Sequence, residues 1–214
     1  NEEFGSAIEI GAIFIYYLIN YFIIVYFNSA LIYCASKILN NEETTLGEGI
    51  AFANARIGKI FGWAVLSATV GTLLQILHNT GKIGQFIAGL LGLAWSVLTF
   101  FVVPVLIFED KGVADSVKES GRLMKAKWGE SMAANVSFGI FHLLGIIAAV
   151  GIAFLLSGIS PILGIAVGIL TVLLVSTIIA TAQTIFVAAV YNHVTGAPVG
   201  NFDGHTLDSV FIQK

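Results

Sequence analysis

Residues 10–36, 60–77, 83–108 and 131–192 contain not one Lys, Arg, Asp or Glu. An α-helix needs roughly 20 apolar residues to cross a hydrocarbon core of about 30 Å, so the first three stretches suit one crossing each and the last suits two. The fold class is therefore all-α, a polytopic helical membrane protein with about five transmembrane helices. Composition excludes a soluble globule: 57% of the 214 residues are hydrophobic and 11% charged, against roughly a quarter charged in soluble domains.

The first crossing, from residue 7 to about 36, is rich in Tyr and Phe and longer than a perpendicular helix needs, which predicts tilt or projection from the bilayer. Asn20 and Asn28 lie two turns apart on roughly one face, where each can hydrogen-bond a neighbouring helix or, alternatively, line a polar path. A polar link at 37–45 leads into a stretch where Leu46, Ile50, Ala53, Ile57 and Ile60 recur at helical spacing, with Thr45 and Glu48 in capping-box register. After the third crossing a second such stretch sets Val113, Val117, Met124 and Trp128 on one side. Asp115, Lys118, Glu119, Arg122 and Lys125 fall mostly on the other. The pattern predicts two cytoplasmic interfacial amphipathic helices. In the second, Lys118, Arg122, Lys125 and Trp128 would meet lipid headgroups while the apolar side dips into the acyl boundary. Pro104 predicts a kink, and Glu109 with Asp110 the exit of the third crossing.

At an offset of 67 residues the two amphipathic stretches match in character: Leu46 meets Val113, Glu48 meets Asp115, Ile50 meets Val117 and Phe61 meets Trp128. Each precedes two crossings joined by a short turn. This reads as a weak internal duplication, 46–108 and 113–192, within a single integral membrane domain, 1–214; chance likeness of two amphipathic helices is the rival reading. Three pairs of small residues at four-residue spacing, Gly58 with Gly62, Ser67 with Gly71 and Gly164 with Gly168, would let helix backbones approach. With residue 1 outside, five crossings place nine basic residues inside and only Lys82 outside. The positive-inside rule then sets the C-terminus in the cytoplasm and the protein in the cell membrane as a multi-pass chain. Phe202, Leu207, Val210 and Phe211 of the tail could fold back on the cytoplasmic face.

Chemistry-bearing patterns are scarce. Cys34 is the only cysteine, which excludes an internal disulfide and a cysteine-based zinc cluster. His78, His142, His193 and His205 form no HExxH or i, i+4 pair, and His142 within the fourth crossing reads as a helix–helix contact. Thr177, Thr181 and Thr184 share one face of the fifth crossing. Hydroxyls there can bond the preceding turn of their own helix, so they read as packing; with Gln75 they could instead line a passage. No nucleotide-binding or nucleophile motif appears. Glu109, Asp110 and Glu130 read as solvated helix ends. These residues imply no enzyme, no cofactor, no metal and no nucleic-acid partner. The expected partners are membrane lipids together with further copies of the chain or a larger membrane complex. The reading is a non-enzymatic scaffold or accessory subunit; the alternative is a channel or carrier for a lipid or small neutral solute.

The runs FGWAVLSATVG, LLGLAWSVLTFFVVPVLIFED, SGRLMKAKWGE and YNHVTGAPVGNFD together resemble the bacterial and archaeal membrane-protein family of unknown function DUF6159. AWSVLTFFVVPVL is the most specific part. The resemblance implies a polytopic inner-membrane protein and a further hydrophobic segment before residue 1. It implies no active-site residues.

Overall fold

The computed structural model describes residues 2–109, 111–126 and 128–196, with side chains for 7–109, 111–125 and 138–196. The described residues form helices joined by short links. Five segments are long and apolar enough to cross a membrane: Ala7–Leu39, Ile57–His78, Lys82–Phe108, Phe138–Ser157 and Pro161–Thr195. These are the five that the charge-free stretches predict. The tail residues Phe202, Leu207, Val210 and Phe211 lie outside the described residues.

Helix α1 (Glu2–Leu39) ends where Asn41 takes a positive φ of 59°. There the Glu42 amide donates to the Lys37 carbonyl at 2.9 Å and the Asn41 amide to that of Ile38 at 3.0 Å. This pairing closes otherwise orphaned carbonyls, and asparagine tolerates the left-handed conformation it needs. Helix α2 (Leu46–Asn54) starts at Thr45, whose Oγ1 accepts from the Glu48 amide at 3.3 Å. Its buried residues are Gly49 and Ala53, while Leu46 is exposed. A Cβ on Gly49 would stand 2.6 Å from Cys34 Sγ and 2.9 Å from the Ala30 carbonyl oxygen. The bare glycine lets α2 close onto α1, where Phe52 stacks on Tyr33 with ring centres 4.1 Å apart. The first amphipathic stretch is thus seated on α1 through its small residues.

Helices α3 (Ile57–His78) and α4 (Lys82–Leu98) form an antiparallel hairpin in which Trp63 stacks on Trp95. Helix α5 (Val102–Phe108) follows α4 after a break, and α6 (Val113–Ala126) packs beside both. Helices α7 (Trp128–Ser157) and α8 (Pro161–Thr195) make a second antiparallel hairpin. Its seam is built from small residues: Gly164 and Gly168 are buried against Ala153 and Ser157 of α7.

The buried core gathers at one end of the helices. Val102, Val105, Leu106 and Ile107 of α5 are 0–1% exposed, surrounded by Val25 and Ile32 of α1, Ile60 of α3, Leu123 and Met124 of α6, and Tyr191 of α8. At the opposite end the second hairpin shows apolar side chains outward, with Leu155 75% and Ile162 80% exposed. Such faces suit a solvent of acyl chains.

Candidate functional site

The centre of this buried end is the break between α4 and α5. Proline lacks an N–H, and its ring clashes with the carbonyl four residues back, which for Pro104 is that of Phe100. The sequence predicts a kink at Pro104; the helix instead stops at Leu98 and restarts at Val102. A broken backbone at membrane depth is tolerated only where its polar groups find partners within the protein. Here each amide does. Thr99 donates to the Trp95 carbonyl at 2.9 Å, Phe100 to Val97 at 3.4 Å and Val102 to Thr99 at 3.0 Å. The fourth, that of Phe101, donates to Ser120 Oγ of α6 at 2.9 Å.

This bond sets the orientation of α6. Ser116, Ser120, Leu123 and Met124 form its buried face, and Val113 and Val117 pack against the cluster that contains Val102 and Leu106. The side expected to dip into the acyl boundary is covered by the chain's own helices. Lipid tails offer no acceptor for the Phe101 amide, whereas a serine on the inner face of α6 does.

A polar clasp closes the same end. Arg56 Nε donates to the Ile107 carbonyl at 2.6 Å, and Lys59 Nζ donates to that of Glu109 at 3.3 Å. Both cations therefore sit at the C-terminus of α5, where unpaired carbonyls and the helix dipole favour positive charge. The Arg56 guanidinium also lies 3.6 Å from the centre of the Phe52 ring. From α8, the Tyr191 hydroxyl donates to Glu109 Oε1 at 2.9 Å and its ring stacks on Phe108. Lys111 bridges Glu109 at 2.6 Å and Glu119 at 3.2 Å. Arg122 Nε donates to Glu119 Oε1 at 2.9 Å. The hydrogen bond from Arg122, with Lys111 beside it, holds the Glu119 carboxyl below its ordinary value, and the bond to Glu109 holds Lys111 above its own. Asn192 Nδ2 donates to Ser36 Oγ at 3.1 Å, joining the end of α8 to α1. Glu109 is therefore a hub where α5, α8 and the α6 approach meet, and not a solvated helix end. Asp110 and the Glu130 side chain lie outside the described residues.

The residues singled out from the sequence are scattered. Asn20 donates to the Tyr16 carbonyl of its own helix at 2.8 Å and is exposed, and it bonds no neighbouring helix among the described residues. Asn28 is half-buried and has no hydrogen bond among the described residues. Gln75 accepts from the Tyr17 hydroxyl at 3.4 Å, linking α3 to α1. His142 Nε2 lies 3.1 Å from Ser176 Oγ across the second hairpin. Thr177 and Thr184 donate to the carbonyls of Leu173 and Ala180, one turn back on α8. Thr181 is half-buried on the same helix. Lys118 pairs with Asp115 and Arg122 with Glu119, while Lys125 is exposed. The side chain of Trp128, the first residue of α7, lies outside the described residues.

The model of a family of unknown function, DUF6159, matches residues 7–201. The chain belongs to that family. No curated protein and no solved structure matches the chain. In this DUF6159 protein the matched span contains the break, Ser120 and every residue of the clasp. Sequence reasoning passed over Ser120, Arg56 and Tyr191. The available signal was Pro104 inside an apolar run, which requires that the freed backbone be satisfied by some other part of the chain.

Proposed function

We propose that this DUF6159 protein is a non-enzymatic scaffold or accessory subunit that oligomerises or packs with a larger membrane complex. The observation that carries this reading is where its polar groups point. Thr69, Ser96, Thr171, Thr177 and Thr184 donate to carbonyls one turn back on their own helices, and Glu109 and Glu119 are bound to the chain's own cations. A carrier would aim such groups at a solute. Three described grooves have mainly apolar walls, and none is lined by Asn20, His142 or Thr181. The outward faces of α4, α7 and α8 offer apolar surface to lipid or to other membrane helices. Purification in mild detergent is expected to yield a fixed oligomer or a stoichiometric partner. A monomer holding a solute in a polar cavity would overturn the reading in favour of a channel or carrier.

The orientation proposed with it places the clasp, α6 and the C-terminus in the cytoplasm. A membrane-impermeant amine reagent applied to intact cells should label Lys82, which is exposed at the α3–α4 turn, and leave Lys118 and Lys125 unlabelled. Labelling of Lys118 in intact cells would reverse the assignment.

A further inference from the structure

A groove of about 700 Å³ runs between α4 and α6. Leu93, Ala94, Val97 and Leu98 form its α4 wall, and Gly121 with Met124 forms its α6 side. A Cβ on Gly121 would lie 2.6 Å from Leu98 Cδ1, so the glycine keeps the two helices close there and the groove floor flat. Among the described residues Lys125 is the one charged side chain of the lining.

We propose that this groove seats one acyl chain of an anionic phospholipid, with the phosphate on Lys125. Charge complementarity selects the occupant. Among the α6 cations Lys118 is paired with Asp115 and Arg122 with Glu119, whereas Lys125 has no carboxylate partner among the described residues. An apolar groove whose lining carries an ammonium with no carboxylate partner among the described residues matches a ligand that is apolar along its length and anionic at its end. A zwitterionic lipid brings the same phosphate with its own cation attached, so its headgroup adds no net negative charge opposite Lys125. A spanning helix of a second copy adds none either, since the charge-free stretches bring no carboxylate. Of the three basic residues that the sequence assigns to headgroups, the structure thus singles out Lys125. The site goes beyond the scaffold reading and does not rest on it.

The test is native mass spectrometry of the purified full chain titrated with phosphatidylglycerol or phosphatidylcholine. One phosphatidylglycerol should be retained in preference to phosphatidylcholine by roughly fivefold, the ratio set by one lysine at an anionic headgroup. Lys125→Gln should abolish the preference and Lys118→Gln should leave it. Ala94→Trp should fill the groove and remove the retained lipid of either kind; if that variant does not fold, as judged by circular dichroism, Leu93→Trp replaces it. Equal losses from Lys125→Gln and Lys118→Gln would overturn the proposal in favour of diffuse surface attraction. Unchanged retention in a folded groove-filling variant would overturn it, as would displacement of the lipid by inorganic phosphate alone. A second copy that shields Lys125 would overturn it too, and would leave the scaffold reading standing.

Discussion

Gly164→Leu is expected to part the second hairpin and to lower the thermal midpoint in mild detergent more than any other single glycine change on α7 or α8. A Cβ at position 164 would meet the Ala153 carbonyl oxygen at 2.6 Å, the Ser157 amide nitrogen at 2.9 Å and the Ser157 Cα at 3.0 Å. All three are backbone atoms. They cannot swing aside as a side-chain tip can, so relief requires moving α7 as a whole. Overpacking of this kind costs about 1–3 kcal/mol and sometimes more. In a membrane the loss is compounded, because helix association there rests on close packing rather than on expelling water. Gly151→Leu is the matched control: on the same hairpin, a Cβ at position 151 would have nothing within 4 Å. Leucine is also the better helix former by nearly 1 kcal/mol. The control should therefore melt at or slightly above the parent midpoint. Equal midpoints for the two variants would refute the close seam.

Ser120→Ala should be the costliest removal of a single hydroxyl. The change leaves the Phe101 amide buried at the break with no acceptor, and an orphaned buried donor costs about 1–3 kcal/mol. Ser116→Ala offers the comparison on the same buried face. The Ser116 hydroxyl donates only to the Gly112 carbonyl one turn back, at 2.9 Å, so losing it strands no donor. The stability difference is measured by thermal unfolding in detergent, and its cause by amide hydrogen exchange at Phe101. Exchange there should accelerate in Ser120→Ala and stay at the parent rate in Ser116→Ala. Matching behaviour of the two variants would show that Ser120 does not close the break.

How far the fold could be read from the sequence depended on whether a property belongs to one segment or to two. Apolar length and the spacing of charges are properties of single segments, and they located all five spans. The start of α2 at Thr45 was likewise legible in local cap chemistry, whereas α1 runs on to Leu39, past residue 36 at which the apolar pattern ends. The orientation of α6 was not. Val113, Val117 and Met124 have the same spacing whether they face acyl chains or α5, and only the stranded Phe101 amide decides between them. Small-residue pairs behave in the same way. Gly164 and Gly168 lie in the closest seam of the second hairpin, while Gly58 has nothing near it; spacing alone is identical in the two cases. The clasp stayed hidden because Arg56, Glu109 and Tyr191 come from three distant parts of the chain, each ordinary in its own neighbourhood.

The distances along the chain between these partners impose an order on biogenesis. The bond that closes the broken crossing joins residues 19 apart, whereas the one from Tyr191 to Glu109 joins residues 82 apart. A nascent chain emerging from the ribosome therefore carries Ser120 soon after the break itself has been made. Glu109 and Phe108 meet their α8 partner, Tyr191, only with the final turns of α8. Arg56 and Lys59, made earlier, can already hold the carbonyls at the end of α5, so the α8 contacts are the last part of the clasp to close.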